Sequence, residues 1–360
     1  MFSQSSARKY ISITIAAAMF AVFLPTAASP APRTFKLAWS IYTGYMPWLY
    51  AERSGILKRW ADKYGIRIEL VQVNDYVESI NQYTAGQYDA VTDTNMDSLT
   101  IPAAGGVDTT AIILGDYSNG NDAIFIKGRG KTLVDLKGQK VHLVQYSVSH
   151  YMLWRALQKA GLKETDVVTA NISDADFVTA FGTPEITAEV VWNPATTQIQ
   201  KMPNVTSVFD SSQIPRELQD VVVVNTAVLR KAPQFAKALV GAWYEALAVM
   251  QRNDQRGIDA RTMMASASGT TLADFDDQVK TTQFYYSPAE AAAFFRSAEM
   301  MTITEQVMMF SFEHGLLGKD AKSKDAIGIE LPGGHVLGDK SNIRLRFDPT
   351  YMEMAASGKL

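Results

Sequence analysis

The stretch Ala85–Ser98, AGQYDAVTDTNMDS, constrains the fold more than any other part of the chain. Tyr88 to Thr92 is a short apolar and β-branched run, turn-forming polar residues follow, and apolar sequence resumes at Leu99. That is the pattern of a buried parallel strand feeding a loop and then a helix. In an open α/β sheet, ligands occupy the crevice beyond the carboxyl ends of such strands. Here the crevice receives Asp93 and Asp97, with Thr94 beside them. Asp97 lies further into the following helix, so Asp93 is the expected contact.

The surrounding charge is one-sided. Between Arg67 and Lys127 there is no Lys or Arg, but there are Glu69, Asp75, Glu78, Asp89, Asp93, Asp97, Asp108, Asp116 and Asp122. Between Lys163 and Lys201 the bias recurs, with Glu164, Asp166, Asp174, Asp176, Glu185 and Glu189 and again no base. A pocket lined from these segments suits a cation far better than an anion.

Strand, loop and helix repeat along the chain. Thr34 to Trp39 alternates as a first strand and runs into Ser40 to Tyr45, with Pro47 placed for the first turn of a helix. A second strand at Ile66 to Val73 completes a βαβ unit. Val77 to Ala85 is the next helix and Thr110 to Leu114 a fourth strand, with Asp116 and Tyr117 in the loop after it. Ala123 to Ile126 reads as a fifth strand. A second cycle follows: strand Val141 to Val144, a loop with Ser147, and an amphipathic helix His150 to Ala160 ended by Gly161. Phe177 to Phe181 reads as helix, Ala188 to Trp192 as a strand carrying Glu189, and Val221 to Val224 as a short strand. From Pro233 the pattern turns helical: Phe235, Leu239, Trp243, Leu247 and Met250 form one buried stripe. Ser287 to Glu290 and Thr302 to Glu305 have the form of capping boxes, and Gly315 would end the last helix.

With 360 residues and 47% hydrophobic content, two domains are expected. Residues 1–28 have the form of an export signal: a basic start at Arg8 and Lys9, an apolar run from Ile11 to Pro25, and small residues at 26–29. Its removal takes away two positive charges from a chain whose net charge is −3, which makes nucleic acid or anionic lipid a poor partner. There is no cysteine, which rules out disulfides, thiolate metal sites and a cysteine nucleophile.

Catalytic templates fail. His142, His150, His314 and His335 have no zinc-type spacing, and neither a Gly-x-Ser-x-Gly elbow nor a Gly-x-Gly-x-x-Gly after a strand occurs. Lys127 to Lys131, KGRGK, lacks phosphate-loop spacing and reads as an exposed turn. No catalytic residue, cofactor or metal is expected. Binding a small cation requires carboxylates to match its charge and aromatic faces to cover it. Strand-end loops offer both: Trp39, Tyr42 and Tyr45 after the first strand, Asp93 and Thr94 after the third, Asp116 and Tyr117 after the fourth, and Trp192 in the second unit, with Ser147, His150 and Glu189 as further candidates. Each also has a plain structural reading. Helix capping would account for an aspartate at 93–97, turn chemistry for Asp116 and Asp122, and core packing for Trp39 or Trp192. Their convergence at strand ends in both halves favours the binding reading.

The signal-like start, Thr34–Trp39 leading to Tyr42-Thr43-Gly44-Tyr45, Ala85–Ala90, and Val221–Val224 followed by Asn225–Leu229 resemble the periplasmic substrate-binding proteins of ABC importers, in the group that takes nitrate, sulfonates, taurine and thiamine precursors. The resemblance runs from Thr34 to Met250 and, more weakly, into the C-terminal helices. Tyr117–Asp122, Gln145–Tyr151 and Val190–Pro194 are similar to a subgroup associated with urea carboxylase, which implies urea or guanidine as ligand. The charge bias separates these two, because guanidinium needs several carboxylates and urea does not. Guanidinium also matches carboxylates bidentately and offers a flat face to Trp.

The resemblance implies an α/β, two-lobe, type II binding-protein fold with doubly wound sheets and a cleft that closes on ligand. The lobes are expected at 34–126 plus 224–360 and at 127–223. The expected protein is a periplasmic monomer that captures a small cation and presents it to a membrane permease. Competing readings are a receptor for urea, for a thiamine-precursor pyrimidine or amidine, or for a sulfonate; a pyrimidine-synthase-type enzyme, which would need a cofactor lysine in the cleft; and a sensor lobe for a membrane kinase.

Overall fold

A computed structural model describes residues 1–2 and 33–360, so the expected export signal falls, past its first two residues, outside the described residues. In chain order the strands are β1 (Thr34–Trp39), β2 (Arg67–Gln72), β3 (Ala90–Thr94), β4 (Thr109–Ser118), β5 (Ala123–Lys127), β6 (Lys140–Leu143), β7 (Val168–Asn171), β8 (Ala188–Val191), β9 (Val205–Asp210), β10 (Gln219–Asn225), β11 (Thr282–Phe284), β12 (Gly328–Leu331), β13 (His335–Leu337) and β14 (Ile343–Phe347). They form two sheets. The first has the order β13-β12-β14-β4-β10-β3-β1-β2, with β11 on β4, and the second has the order β7-β6-β8-β5-β9. This is the expected α/β, two-lobe architecture.

In the first sheet β1 pairs parallel with β2 and β3, as βαβ connections require. β10 lies antiparallel between β3 and β4. Its four valines, Val221–Val224, are all buried, each contributing about 1.5–3 kcal/mol of transfer free energy. The helix Pro233–Met250 covers this sheet as its apolar stripe predicts. Phe235 stacks on Phe35 of β1 with centroids 4.6 Å apart, and Trp243 meets Trp48 at 5.1 Å. Gly241 is required by close approach, because a Cβ there would overlap the Trp60 ring.

Several boundaries differ from the sequence reading. β3 runs to Thr94 and β4 to Ser118, so Asp93, Thr94, Asp116 and Tyr117 are strand residues, where loops were expected. The cause is β10, which pairs with β3 and β4 at these positions and supplies the hydrogen bonds that a loop would otherwise seek. β5, expected in the first lobe, is paired on both sides by β8 and β9 and belongs to the second sheet. β10 begins at Gln219, within the first sheet. The chain therefore passes between sheets over residues 119–122 and 211–218, earlier than the expected crossings near Ile126 and Val224. Thr302 caps nothing: the helix Ala298–Glu313 starts earlier, Ser297 accepts from the Met300 N–H, and Thr302 donates back to Ala298 O at 3.2 Å. Ser287 does cap the helix Pro288–Phe295, and Gly315 follows Ala298–Glu313 at φ 70°, as a helix terminator should. Among the described residues no helix is long and apolar enough to cross a membrane.

Candidate ligand-binding cleft

A cavity of about 20 Å³ opens between the two sheets. From the first-sheet side come Ser40, Tyr42 and Tyr45 after β1, Tyr76 at the start of the helix Tyr76–Thr84, Thr94 at the end of β3, and Asp220 near the start of β10. From the second come Val148, first residue of the helix Val148–Lys159, and Trp192, directly after β8. Asp122 and Leu218 join them from the two crossings. Among the described residues, no Lys, Arg or His lines the cavity.

The wall is a network of hydroxyls donating to carboxylates. Tyr45 Oη donates to Asp220 at 2.6 Å and Tyr42 Oη to Asp116 at 3.1 Å. Ser118 Oγ donates to Asp122 at 2.5 Å. Tyr76 Oη and Thr94 Oγ1 donate to Asp97 at 2.7 and 2.8 Å, and the Val148 N–H approaches the same oxygen at 3.4 Å. Asn121 holds the crossing: its Nδ2 donates to Tyr42 Oη and Thr282 Oγ1, and its Oδ1 accepts from the Asn193 N–H. Trp192 is fixed edge-on by Tyr76 and Phe177, at 5.6 and 5.0 Å.

Asp93, Asp97, Asp116, Asp122 and Asp220 are all buried in and behind this wall. Burial pushes the carboxyls of Asp97 and Asp122 up to about 6 and about 7 despite their hydroxyl donors. Asp93 is driven well above the usual range by burial, and Asp116 by burial and then by the charge of Asp220. Asp220 rises too, again mainly through burial. Among the described residues, Asp93 Oδ2, Asp97 Oδ1 and Asp116 Oδ2 have no hydrogen-bond partner.

Of the candidates read from sequence, Tyr42, Tyr45, Thr94 and Trp192 line the cavity, and Asp116 stands directly behind Tyr42. Asp93 lies deeper, accepting from Ser98 Oγ at 2.8 Å. The preference for Asp93 over Asp97 is weakened, since three residues that line the cavity, Tyr76, Thr94 and Val148, converge on Asp97. The others lie elsewhere. Trp39 packs in the core. Tyr117 pairs with Tyr285 at 5.9 Å beneath Arg216. Ser147 caps the helix Val148–Lys159, accepting from the Ser149 N–H and donating to Val144 O. His150 contacts Glu164 and His314. Glu189 is buried within β8 without a partner, its carboxyl pushed up to about 9 by burial.

Sequence reasoning missed Asp220 and Tyr76. The strand-end rule points to the carboxyl ends of parallel strands, but β10 runs antiparallel, so its first residues arrive at that end. An aspartate just ahead of a returning four-valine run was the available signal. Tyr76 was hidden as the first residue of a helix capped by Asp75.

Residues 45–256 match the NMT1/THI5 like family. The chain belongs to that family. Among curated relatives, a putative aliphatic sulfonates-binding protein of Escherichia coli is 44% identical over 64 residues, which span 18% of this chain and 20% of that protein. The taurine-binding periplasmic protein of Escherichia coli is 27% identical over 143 residues, covering 39% of this chain and 44% of that one. The chain thus spans less than half the length of either relative. The alkanesulfonate-binding protein SsuA of Xanthomonas axonopodis pv. citri, solved bound to MOPS, superposes with a TM-score of 0.67 over 81% of this chain and 96% of its own, at 17% identity. That likeness establishes the periplasmic-binding-protein fold. The urea-carboxylase subgroup expected from sequence receives no support from these relatives.

Proposed function

We propose that this family member is the solute-binding receptor of an ABC importer and that its ligand is guanidinium. The observation that carries the proposal is the cavity between the sheets, lined by Asp122 and Asp220, backed by Asp97 and Asp116, and with no Lys, Arg or His lining it among the described residues. A sulfonate placed there would bring negative charge against carboxylates. A planar cation with N–H donors in its plane offers them hydrogen bonds, and Trp192, Tyr42 and Tyr45 supply aromatic contact. About 20 Å³ of space holds one or two waters, given that one water needs about 10–15 Å³, so guanidinium would displace them and move the wall outward.

In this reading the protein is exported to the periplasm, acts as a monomer, binds without chemistry, and closes its two lobes around the ligand before docking on a membrane permease. Ser40 through Tyr45, Tyr76, Thr94 and Asp220 act from one lobe, Val148 and Trp192 from the other. Names of relatives that take sulfonates or taurine support the receptor class, and the acidic cavity supports the change of ligand. Calorimetric titration with guanidinium, urea, taurine and nitrate tests it. Guanidinium is expected to bind tightest. Tighter urea binding would assign the site to the neutral analogue with its carboxyls protonated, and tighter binding of taurine or nitrate would end the cation reading.

A further inference from the structure

Outside the cleft, His150, Glu164 and His314 bring one donor atom each to within 4.8 Å of one another. They come from three segments: His150 from the first turn of the helix Val148–Lys159, Glu164 from the turn that follows it, and His314 from the end of the helix Ala298–Glu313. Glu164 Oε1 lies 2.8 Å from His314 Nε2 and 3.4 Å from His150 Nε2.

The hydrogen bonding of His314 fixes which ring nitrogen faces Glu164. Its Nδ1 lies 2.7 Å from Phe310 O, which can only accept, so Nδ1 carries a proton. A neutral His314 therefore aims the lone pair of Nε2 at a carboxylate oxygen. That contact is repulsive unless a proton or a metal cation stands between the two atoms. An imidazole whose far nitrogen donates to a backbone carbonyl is also the arrangement that fixes a metal-ligating histidine.

We propose that His150, Glu164 and His314 form a Zn²⁺ site that ties the helix Ala298–Glu313 to the segment 148–166. Zinc takes imidazole nitrogens at about 2.0–2.1 Å and carboxylate oxygens at about 2.0–2.2 Å, which places donors in a tetrahedron about 3.4 Å apart. The three donors need shifts of about an ångström or less to reach that spacing. Glu164, with its side chain 36% exposed, leaves water access to a fourth position. Coordination through His150 Nε2 moves that ring's proton to Nδ1 and displaces the 3.2 Å hydrogen bond from the Tyr146 N–H. Tyr146 is exposed and holds a left-handed backbone at φ 64°, so its N–H is able to turn to water.

The test is titration of the tag-free protein with Zn²⁺ at neutral pH, read by calorimetry and by melting temperature, with no ligand for the cleft present. Saturable binding of one ion per chain is expected, with a rise in melting temperature. His314→Gln and Glu164→Gln should each weaken it by about tenfold or more, and His335→Gln should leave it unchanged. If His314→Gln does not fold, Glu164→Gln at the partly exposed position decides. Absence of saturable binding by the wild type would overturn the site and leave a protonated His314 paired with Glu164. Undiminished binding in Glu164→Gln, or equal loss in His335→Gln, would overturn it as well.

Discussion

Asp116 of β4 and Asp220 of β10 occupy directly opposed positions in an antiparallel pair, both buried, each accepting one tyrosine hydroxyl. The two tyrosines, Tyr42 and Tyr45, meet edge to face at 4.9 Å, so donors and acceptors form one rigid square. Like charges at opposed positions repel, and burial raises both carboxyls. The free pair therefore holds a proton more strongly than isolated aspartates do, and under the proposed function a bound cation would take over that proton's role.

Replacing Asp220 with Asn should weaken guanidinium binding by tenfold or more, or about 1.4 kcal/mol. The melting temperature of the unliganded variant should hold or rise, because Asn keeps the uncharged form the free protein prefers. Calorimetry and thermal melting measure the two effects separately. Unchanged affinity would remove Asp220 from the site.

The raised carboxyls set the pH dependence. Asp97 and Asp122, at about 6 and about 7, bind protons in the folded state that the unfolded chain, with aspartates near 3.9, releases. Their contribution to stability is fully present below about pH 4 and is lost as pH rises through 6 to 7. Guanidinium prefers the ionised carboxylates, so its affinity should rise over that same interval with release of protons. Melting curves at pH 5 and pH 8 with and without guanidinium, and titration in buffers of different ionisation enthalpy, check both signs.

Trp192 is buried and held by two aromatic edges. Its truncation to Ala should cost about 3–5 kcal/mol of stability as well as affinity. Trp192 thus serves the core packing and lines the cavity at once. Trp192→Phe keeps most of the packing and should lower guanidinium affinity with a smaller fall in melting temperature.

Gly44 lies where a Cβ would overlap both the Tyr42 ring and Asp116 Oδ2. Gly44→Ala should break the Tyr42–Asp116 hydrogen bond and lower guanidinium affinity several-fold, seen by calorimetry on a protein whose far-ultraviolet circular dichroism is unchanged.

The strand and helix order was readable because apolar runs, turn residues and caps act locally, and the aromatic residues after β1 and β8 followed from the strand-end rule. The parts that were not readable depend on pairing across long separations. Asp93 and Asp116 look like loop residues until β10 is placed beside them. Asp220 acquires meaning only once β10 is known to run backwards. Glu189 sits in a strand as its neighbours predict, but no local signal tells that its face meets the core rather than the cleft. β7, β9 and β11 to β14 were absent from the sequence reading, since their short runs match no strong period.

β3 and β4 are successive in the chain, yet β10 separates them in the sheet. A chain that emerges from its N-terminus therefore cannot close the middle of its first sheet until residue 225 has appeared. Until then two facing strand edges remain unpaired, the kind of edge that recruits foreign strands, and closure waits on a contact between residues more than a hundred positions apart, which slows folding. For this molecule the interval between release of β4 and arrival of β10 is the period of greatest exposure to aggregation, and the same late strand carries Asp220. The candidate site and the sheet are completed in one event.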